Sequence, residues 1–380
     1  VARMLERIAA CPPPLAHLPG WQQQPHLVHH ALGPDGRRIA TRGADHTVLV
    51  WALDAPGGAA EPVVLRGHTG AVTRLAFAPG GTRLLSASDD GTARLWPADG
   101  AGEPRVLRDH ESWIADAALA PDGSWIATGS GDGTVRLWPA AGADAPRVLP
   151  GRAGVITALA VAPDGRRVVA ASRGGTVHVW PVDGGEEAWV LATGGDVDHV
   201  AVGPDARRLL TVRDQLVRVW DARRPGPPLA VLAHDAYVRA ATFAPDGARI
   251  ATGDADGRVR LWPADGAGEP VVVRPCESAV EAVVFSPDGA CVAAGGNDGR
   301  VWIHPLDGAG EPACFRAHGR GVARIAFTPD GRRLVTVGGW GPIRIWPADA
   351  PGFAREFRGA GPVAAAALCD GGATLVVAGE

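Results

Sequence analysis

Residues 62–97 read PVVLRGHTGAVTRLAFAPGGTRLLSASDDGTARLWP, and this one stretch decides the fold. Pro62–Arg66 is a short strand that ends at Gly67-His68. Val72–Phe77 follows as an apolar strand, and Pro79-Gly80-Gly81 makes a tight turn. Leu84–Ser88, a hairpin turn at Asp89-Asp90-Gly91 and Thr92–Trp96 complete the unit, the last strand alternating with period two. The next unit repeats the order with His110, Ile114–Leu119, Pro121-Asp122-Gly123, Trp125–Ser130, Asp132-Gly133 and Thr134–Trp138.

The repeat runs the length of the chain. Tryptophans stand at Trp51, Trp96, Trp138, Trp180, Trp220, Trp262 and Trp346, mostly 42 residues apart, with His304 in the one vacant place. A unit of this size cannot bury its own faces, so copies must stack, and four-stranded units that stack close into a ring of blades. The segment Asp-Gly-Ala-Gly-Glu-Pro recurs verbatim at Asp99–Pro104, Asp265–Pro270 and Asp307–Pro312, the mark of recent duplication. Eight sets turn at Pro34, Pro79, Pro121, Pro163, Pro204, Pro245, Pro287 and Pro329. A ninth opens at Gly361–Leu368 and stops at Glu380 with its hairpin and third strand still due. At the other end Ala2-Arg3-Met4-Leu5 matches Ala93–Trp96, and Pro14–Gly20 matches the outer strand Pro104–Asp109. The reading is therefore an all-β, nine-bladed propeller spanning 1–380 as one domain, with 1–20 and 361–380 sharing the closing blade; the alternative is eight blades with the termini packed outside.

Composition bounds the rest. The 52 glycines and 33 prolines sit at fixed offsets in the repeat, so they punctuate turns. The net charge of −4 gives no electrostatic footprint for nucleic acid. All basic residues are arginine, which together with the Ala, Gly, Asp and Pro richness reads as a GC-rich, bacterial coding bias. The five cysteines are scattered without metal-ligand spacing, and no apolar run reaches the ~20 residues of a membrane span. The expectation is a cytoplasmic monomer with no membrane partner, no metal and no cofactor. The first residue is Val1, so the chain is read as a piece of something longer.

These residues resemble the WD-repeat (WD40) propellers across essentially the whole chain. The resemblance implies a buried hydrogen-bond network in each blade, formed by a His, a Ser or Thr, a hairpin Asp and the Trp. Three units carry all four: His68, Ser86, Asp90 and Trp96; His110, Thr128, Asp132 and Trp138; and His234, Thr252, Asp256 and Trp262. A buried imidazole and indole need partners, and mutually satisfied groups pin two strands to a turn. The Asp that usually follows the Trp is proline here at Pro97, Pro139, Pro181, Pro263 and Pro347, with Asp221 the exception. The fourth unit (Arg152, Ala170, Gly174) and the seventh (Cys276, Ala294, His304) lack the set, and Trp340 replaces the hairpin Asp in the eighth, so these units are expected to be weaker.

His68, Ser86 and Asp90 have the residue types of a hydrolytic triad. A triad needs an exposed nucleophile and one site per molecule, whereas this set recurs with Thr in place of Ser and always beside a Trp, so no catalytic residue is assigned. The Asp254-Ala-Asp256-Gly257 run lacks the downstream acid of a calcium loop and reads as a hairpin. The innermost strands carry a column at Arg74, Asp116, His199 and Arg324, with alanines at Ala158, Ala240, Ala282 and Ala365 and with Asp198, Arg239 and Glu281 beside it. This column is expected to line an axial channel. On the loop face, the candidate partner anchors are Trp113, Tyr237 and Trp340, rimmed by Asp109, Glu111, Asp235, Glu277 and Arg320. The reading of function is a non-catalytic scaffold that presents this face to a protein or peptide, or to another domain of its own parent chain. The alternatives are a regulatory or sensor domain of a bacterial signalling protein taking a small ligand in the channel, and a merely structural ring.

Overall fold

The computed structural model describes residues 30–43, 45–52, 62–142, 145–150, 154–183, 188–273, 278–306, 312–338, 343–347, 355–357, 365–369 and 374–378. They form eight four-stranded antiparallel sheets, each built from consecutive strands, and a separate two-stranded hairpin. Sheet two is typical, with Val72–Phe77, Arg83–Ser88, Thr92–Pro97 and Arg105–Arg108 in that order. The short strand that precedes each Gly-His pair completes the sheet before it: Val63–Leu65 pairs with Val48–Ala52 of sheet one.

The ring has eight blades, not nine. Sheet eight packs directly on sheet one through Val335, Val337 and Ile345 against Ile39, Leu49 and Trp51, and all six are buried. Those two faces cover each other, so no blade stands between them. Among the described residues the closure is made by side-chain packing. Sheet one takes all its strands from His30–Leu65 and sheet eight all of its own from Val322–Phe357, with no strand exchanged. Gly361–Leu368 was expected to open the ninth blade; its described part belongs to the strand Ala365–Cys369, which among the described residues pairs with Thr374–Ala378. The expected partners in 1–20 lie outside the described residues.

Packing between neighbouring sheets follows from the alternation in each strand. The second and third strands are nearly continuous in buried residues, as in Leu84–Ser88 and Arg208–Arg213, because both of their faces meet another blade. Six of the sheets carry a β-bulge between the first and second strands, as between Val72 and Arg74 or between Val322 and Arg324. The extra residue twists the inner strand and re-aims the position after it. That position is the Arg74, Asp116, Ala158, Ala240, Ala282 and Arg324 column.

Two expectations follow from closure by packing. Ile39→Ala should lower stability by about 2–5 kcal/mol in urea unfolding, the cost of a cavity in a buried interface. Deleting residues 358–380 should change it by no more than about 0.5 kcal/mol, as for a change away from the core. A larger loss in the deletion variant would show that the C-terminal residues complete the ring.

Candidate interaction face and axial channel

The buried network is a hydroxyl shared by two rings. In sheet two the Trp96 indole donates to Ser86 Oγ at 2.8 Å, and Ser86 Oγ lies 2.7 Å from His68 Nε2. His68 Nδ1 is 2.8 Å from Asp90 Oδ2, which also accepts from the Thr69 backbone N–H at 3.0 Å. With Nδ1–H facing a carboxylate, Nε2 accepts the serine proton, so all donors run one way from Trp to Ser to His to Asp. Sheet three repeats this at 2.8, 2.7 and 2.8 Å through Trp138, Thr128, His110 and Asp132. Burial pushes the His68 imidazole below its usual value against the pull of Asp90. Burial alone would raise Asp90, but bonds from Thr92, Thr69 and His68 outweigh it and hold the carboxyl at about 2. Ser86 has no exposed surface, so no substrate reaches its hydroxyl.

Sheet six departs from the expected set. His234 Nε2 and the Trp262 indole share Thr252 Oγ1 at 2.7 and 3.0 Å, but His234 Nδ1 turns to the Leu232 carbonyl at 3.2 Å. Asp256 is exposed and takes no part in the network. In sheets two and three a threonine hydroxyl, Thr92 or Thr134, holds the hairpin Asp at 2.6 Å. Arg258 occupies that position in sheet six and reaches outward to Asp235 at 2.6 Å. Fully buried Asp254, where the other sheets have Ser88 and Ser130, organises the turn instead. It accepts from the Arg258 and Asp256 backbone N–H groups at 2.9 and 3.1 Å and pairs with buried Arg260.

Three sheets hold indole–hydroxyl bonds that the four-residue pattern overlooked. Trp51 donates to Thr41 at 3.1 Å, Trp220 to Thr211 at 2.9 Å and Trp346 to Thr336 at 3.0 Å. His318 joins the last of these at 2.9 Å. The signal was present: a Ser or Thr nine or ten residues before the Trp, across the hairpin. In sheet four that place is Ala170, and the Trp180 indole donates to the Pro150 carbonyl at 2.8 Å.

The described loop-face candidates fall on sheets three, six and eight. On sheet three, half-buried Trp113 lies over the hairpin: a Cβ on Gly131 would stand 2.6 Å from its indole nitrogen. Asp109 pairs with Arg136 at 3.0 Å, and the backbone of exposed Glu111 donates to Asp132 at 3.1 Å. Trp113 is therefore packed into the blade. On sheet six, Tyr237 is 57% exposed. Beside it Asp235 is fixed by Arg258 at 2.6 Å and Arg260 at 2.8 Å, and the adjacent Val238 N–H donates to the Asp214 carbonyl of sheet five. Arg320 is exposed on the loop before the first strand of sheet eight. Glu277 and Trp340 lie outside the described residues.

The inner strands place Arg74, Asp116, His199 and Arg324 around the axis. Arg74 Nε is 3.1 Å from Asp116 Oδ1, while Asp116 Oδ2 accepts from the Leu159 N–H at 2.9 Å. One carboxylate thus joins sheets two, three and four. His199, on sheet five, is held at about 4 by burial, then by the charges of Arg324 and Arg74. Those arginines stand on sheets eight and two, three blades away on either side, and meet His199 only across the axis.

These features define a repeat propeller with polar cross-links inside each blade. The WD domain, G-beta repeat family matches residues 61–97, 103–139, 145–181, 226–263, 268–304 and 311–346, more than half of the chain. The chain belongs to the WD40 repeat family. Among solved structures it is similar to Sqt1 of Chaetomium thermophilum bound to the N-terminus of ribosomal protein L10, with a TM-score of 0.73 and 21% identity over 88% of this chain and 99% of that one. It is also similar to the computationally designed Ika8 protein, with a TM-score of 0.69 and 23% identity over 87% of this chain and 99% of that one. Among curated proteins, the Denticleless protein homolog of Danio rerio is 34% identical over 84 residues, 22% of this chain and only 13% of that protein. Protein hir1 of Schizosaccharomyces pombe is 34% identical over 76 residues, 17% of this chain and 8% of its own length.

Asp254→Ala should cost about 2–3 kcal/mol, because it removes the acceptor of the Asp256 and Arg258 N–H groups and leaves buried Arg260 with Asp235 alone, whereas Asp256→Ala should stay within about 0.5 kcal/mol of wild type; denaturant midpoints at equal slope separate the two. The histidines also set a pH dependence. Burial, reinforced by Arg344, holds His318 at about 3, far below an unfolded value of about 6.5. The folded state keeps the imidazole neutral, so this stability is full above pH ~6.5 and is lost as pH falls toward ~3. Urea midpoints should decline steadily across that window, and Thr336→Val should remove the tightest hydroxyl partner without reversing the sign. A midpoint that stays flat from pH 7 to 4 would contradict buried neutral histidines.

Proposed function

We propose that the chain is a non-catalytic scaffold that presents its loop face to a protein or peptide partner, with Tyr237 at the centre of the contact. The observation that carries this is the exposure of Tyr237, the one tyrosine of the chain, on a loop whose neighbours are fixed. Asp235 is held by two arginines and the Val238 N–H by the next sheet, so the phenol stands on a stiff base and loses little freedom when covered. An aromatic with a polar tip is the residue type that anchors interfaces. Glu111 and Arg320 extend the same face with charges of both signs, which would set orientation and encounter rate more than affinity.

The similarity to Sqt1, whose structure holds the N-terminus of ribosomal protein L10, fits a partner-binding role for this architecture. It supports a peptide as the kind of ligand without identifying one. Trp113 is assigned to the blade rather than to the partner, because its ring closes over Gly131.

Tyr237→Ala should leave the thermal midpoint unchanged within about 0.5 kcal/mol, since the side chain is more than half exposed, and should lower capture of the physiological partner at least about tenfold. Parallel affinity capture from native lysate with wild type, Tyr237→Ala and Arg320→Ala measures this. Equal capture by wild type and Tyr237→Ala would place the contact away from sheet six.

A further inference from the structure

We propose that the axial channel binds a small tetrahedral oxyanion of the phosphate class, held by Arg324, Arg74 and His199. This site is separate from the loop face and does not depend on it.

The eight-fold geometry puts these three donors on different sides of one space. Counting round the ring, the column residues are Arg74 on sheet two, Asp116 on three, Ala158 on four, His199 on five, Ala240 on six, Ala282 on seven and Arg324 on eight. Arg74 and Arg324 flank sheet one, and His199 faces them from the opposite wall. The intervening positions on sheets four, six and seven are alanines, which leave room between the long side chains. Arg74, His199 and Arg324 are all open to solvent, although protein surrounds them.

The donors are set up for a ligand. Asp116 accepts from the Ala117 N–H at 2.8 Å and the Leu159 N–H at 2.9 Å, and it forms an ion pair with Arg74, whose Nε lies 3.1 Å away. The nearest approach in that ion pair is through Nε, and the Arg74 Nη groups make no hydrogen bond among the described residues. Arg324 Nη1 donates to the Ala323 carbonyl at 3.0 Å and has no direct ion pair among the described residues. Glu281 attracts it from sheet seven, but burial and the like charge of Arg74 prevail and push its guanidinium below the usual arginine value. The His199 imidazole, neutral at pH 7, has one N–H to donate and makes no side-chain hydrogen bond among the described residues. Two cations that repel each other and an unengaged imidazole on the same axis favour an anion over water, because the anion offsets the repulsion between the arginines. Donors on opposite walls suit an oxyanion whose oxygens point in several directions better than a planar carboxylate.

The test is calorimetric titration of the whole chain with inorganic phosphate at low ionic strength, with acetate as the comparison anion. One phosphate per ring is expected. Arg324→Gln and Arg74→Gln should each weaken it about tenfold, the loss of a charge-assisted contact, with thermal midpoints compared to show that each variant is folded. Tyr237→Ala should bind phosphate as wild type does. The His199 imidazole, followed by NMR titration, should move to a higher pKa when phosphate is bound. No saturable binding up to about 10 mM phosphate, where a millimolar site would be filled, overturns the proposal. Binding that survives both arginine substitutions overturns it too, and acetate binding as tight as phosphate overturns the tetrahedral class. If Arg324→Gln does not fold, Arg74→Gln decides alone.

Discussion

One hydroxyl group carries the architecture. In each of the six blades that have it, a serine or threonine on the second strand accepts the proton of the tryptophan indole on the third, across the hairpin. In four of them the same hydroxyl also meets a histidine from the loop that leads into the blade. A buried indole N–H without a partner would cost about 1–3 kcal/mol, so the sequence is constrained at both ends of this bond. The consequence is a blade whose loop, hairpin and two central strands are tied at one point. The blade faces need only be apolar, and the ring closes by pressing sheet eight onto sheet one.

Much of this was legible from the residues. The spacing of the tryptophans gave the repeat, the Pro-Asp-Gly and Asp-Gly pairs gave the turns, and the shared hydroxyls of Ser86 and Thr128 could be placed by their distance from Trp96 and Trp138. The number of blades was not legible. It depends on whether Val335, Val337 and Ile345 find Ile39, Leu49 and Trp51, and no local pattern encodes which two distant faces meet. The match of Ala2–Leu5 to Ala93–Trp96 carried only strand-like alternation, which any strand shares. Asp256 was misjudged for a different reason. Position alone made it equivalent to Asp90, but the threonine that holds Asp90 is Arg258 in sheet six, and an acid at 254 draws the nearby arginine inward. Reading the residue after the hairpin glycine together with the residue two before the Asp would have separated the two cases.

The same scaffold leaves two kinds of surface. The loop face is made of short connections stiffened by the buried network, and among the described residues Tyr237 is the one large exposed aromatic. The channel is lined by the inner strands, whose column residues are alanine on sheets four, six and seven and polar or charged on sheets two, three, five and eight. Stiffness bears on the loop face in particular, because fixed loops lower the ordering cost of binding a partner. Redundant repeats permit this division. A blade such as sheet four, whose Trp180 finds a backbone carbonyl instead of a hydroxyl, is supported by neighbours that keep the indole–hydroxyl bond.

The central claim is that the indole–hydroxyl bonds are closed, buried and common to the ring. Hydrogen exchange of the indole N–H protons, resolved by NMR on a tryptophan-labelled chain, tests it most directly. Trp51, Trp96, Trp138, Trp220, Trp262 and Trp346 should exchange only with global unfolding, with the same dependence on denaturant, while half-buried Trp113 exchanges faster. Rapid exchange of those six at native conditions would mean that the hydroxyls do not hold the blades together.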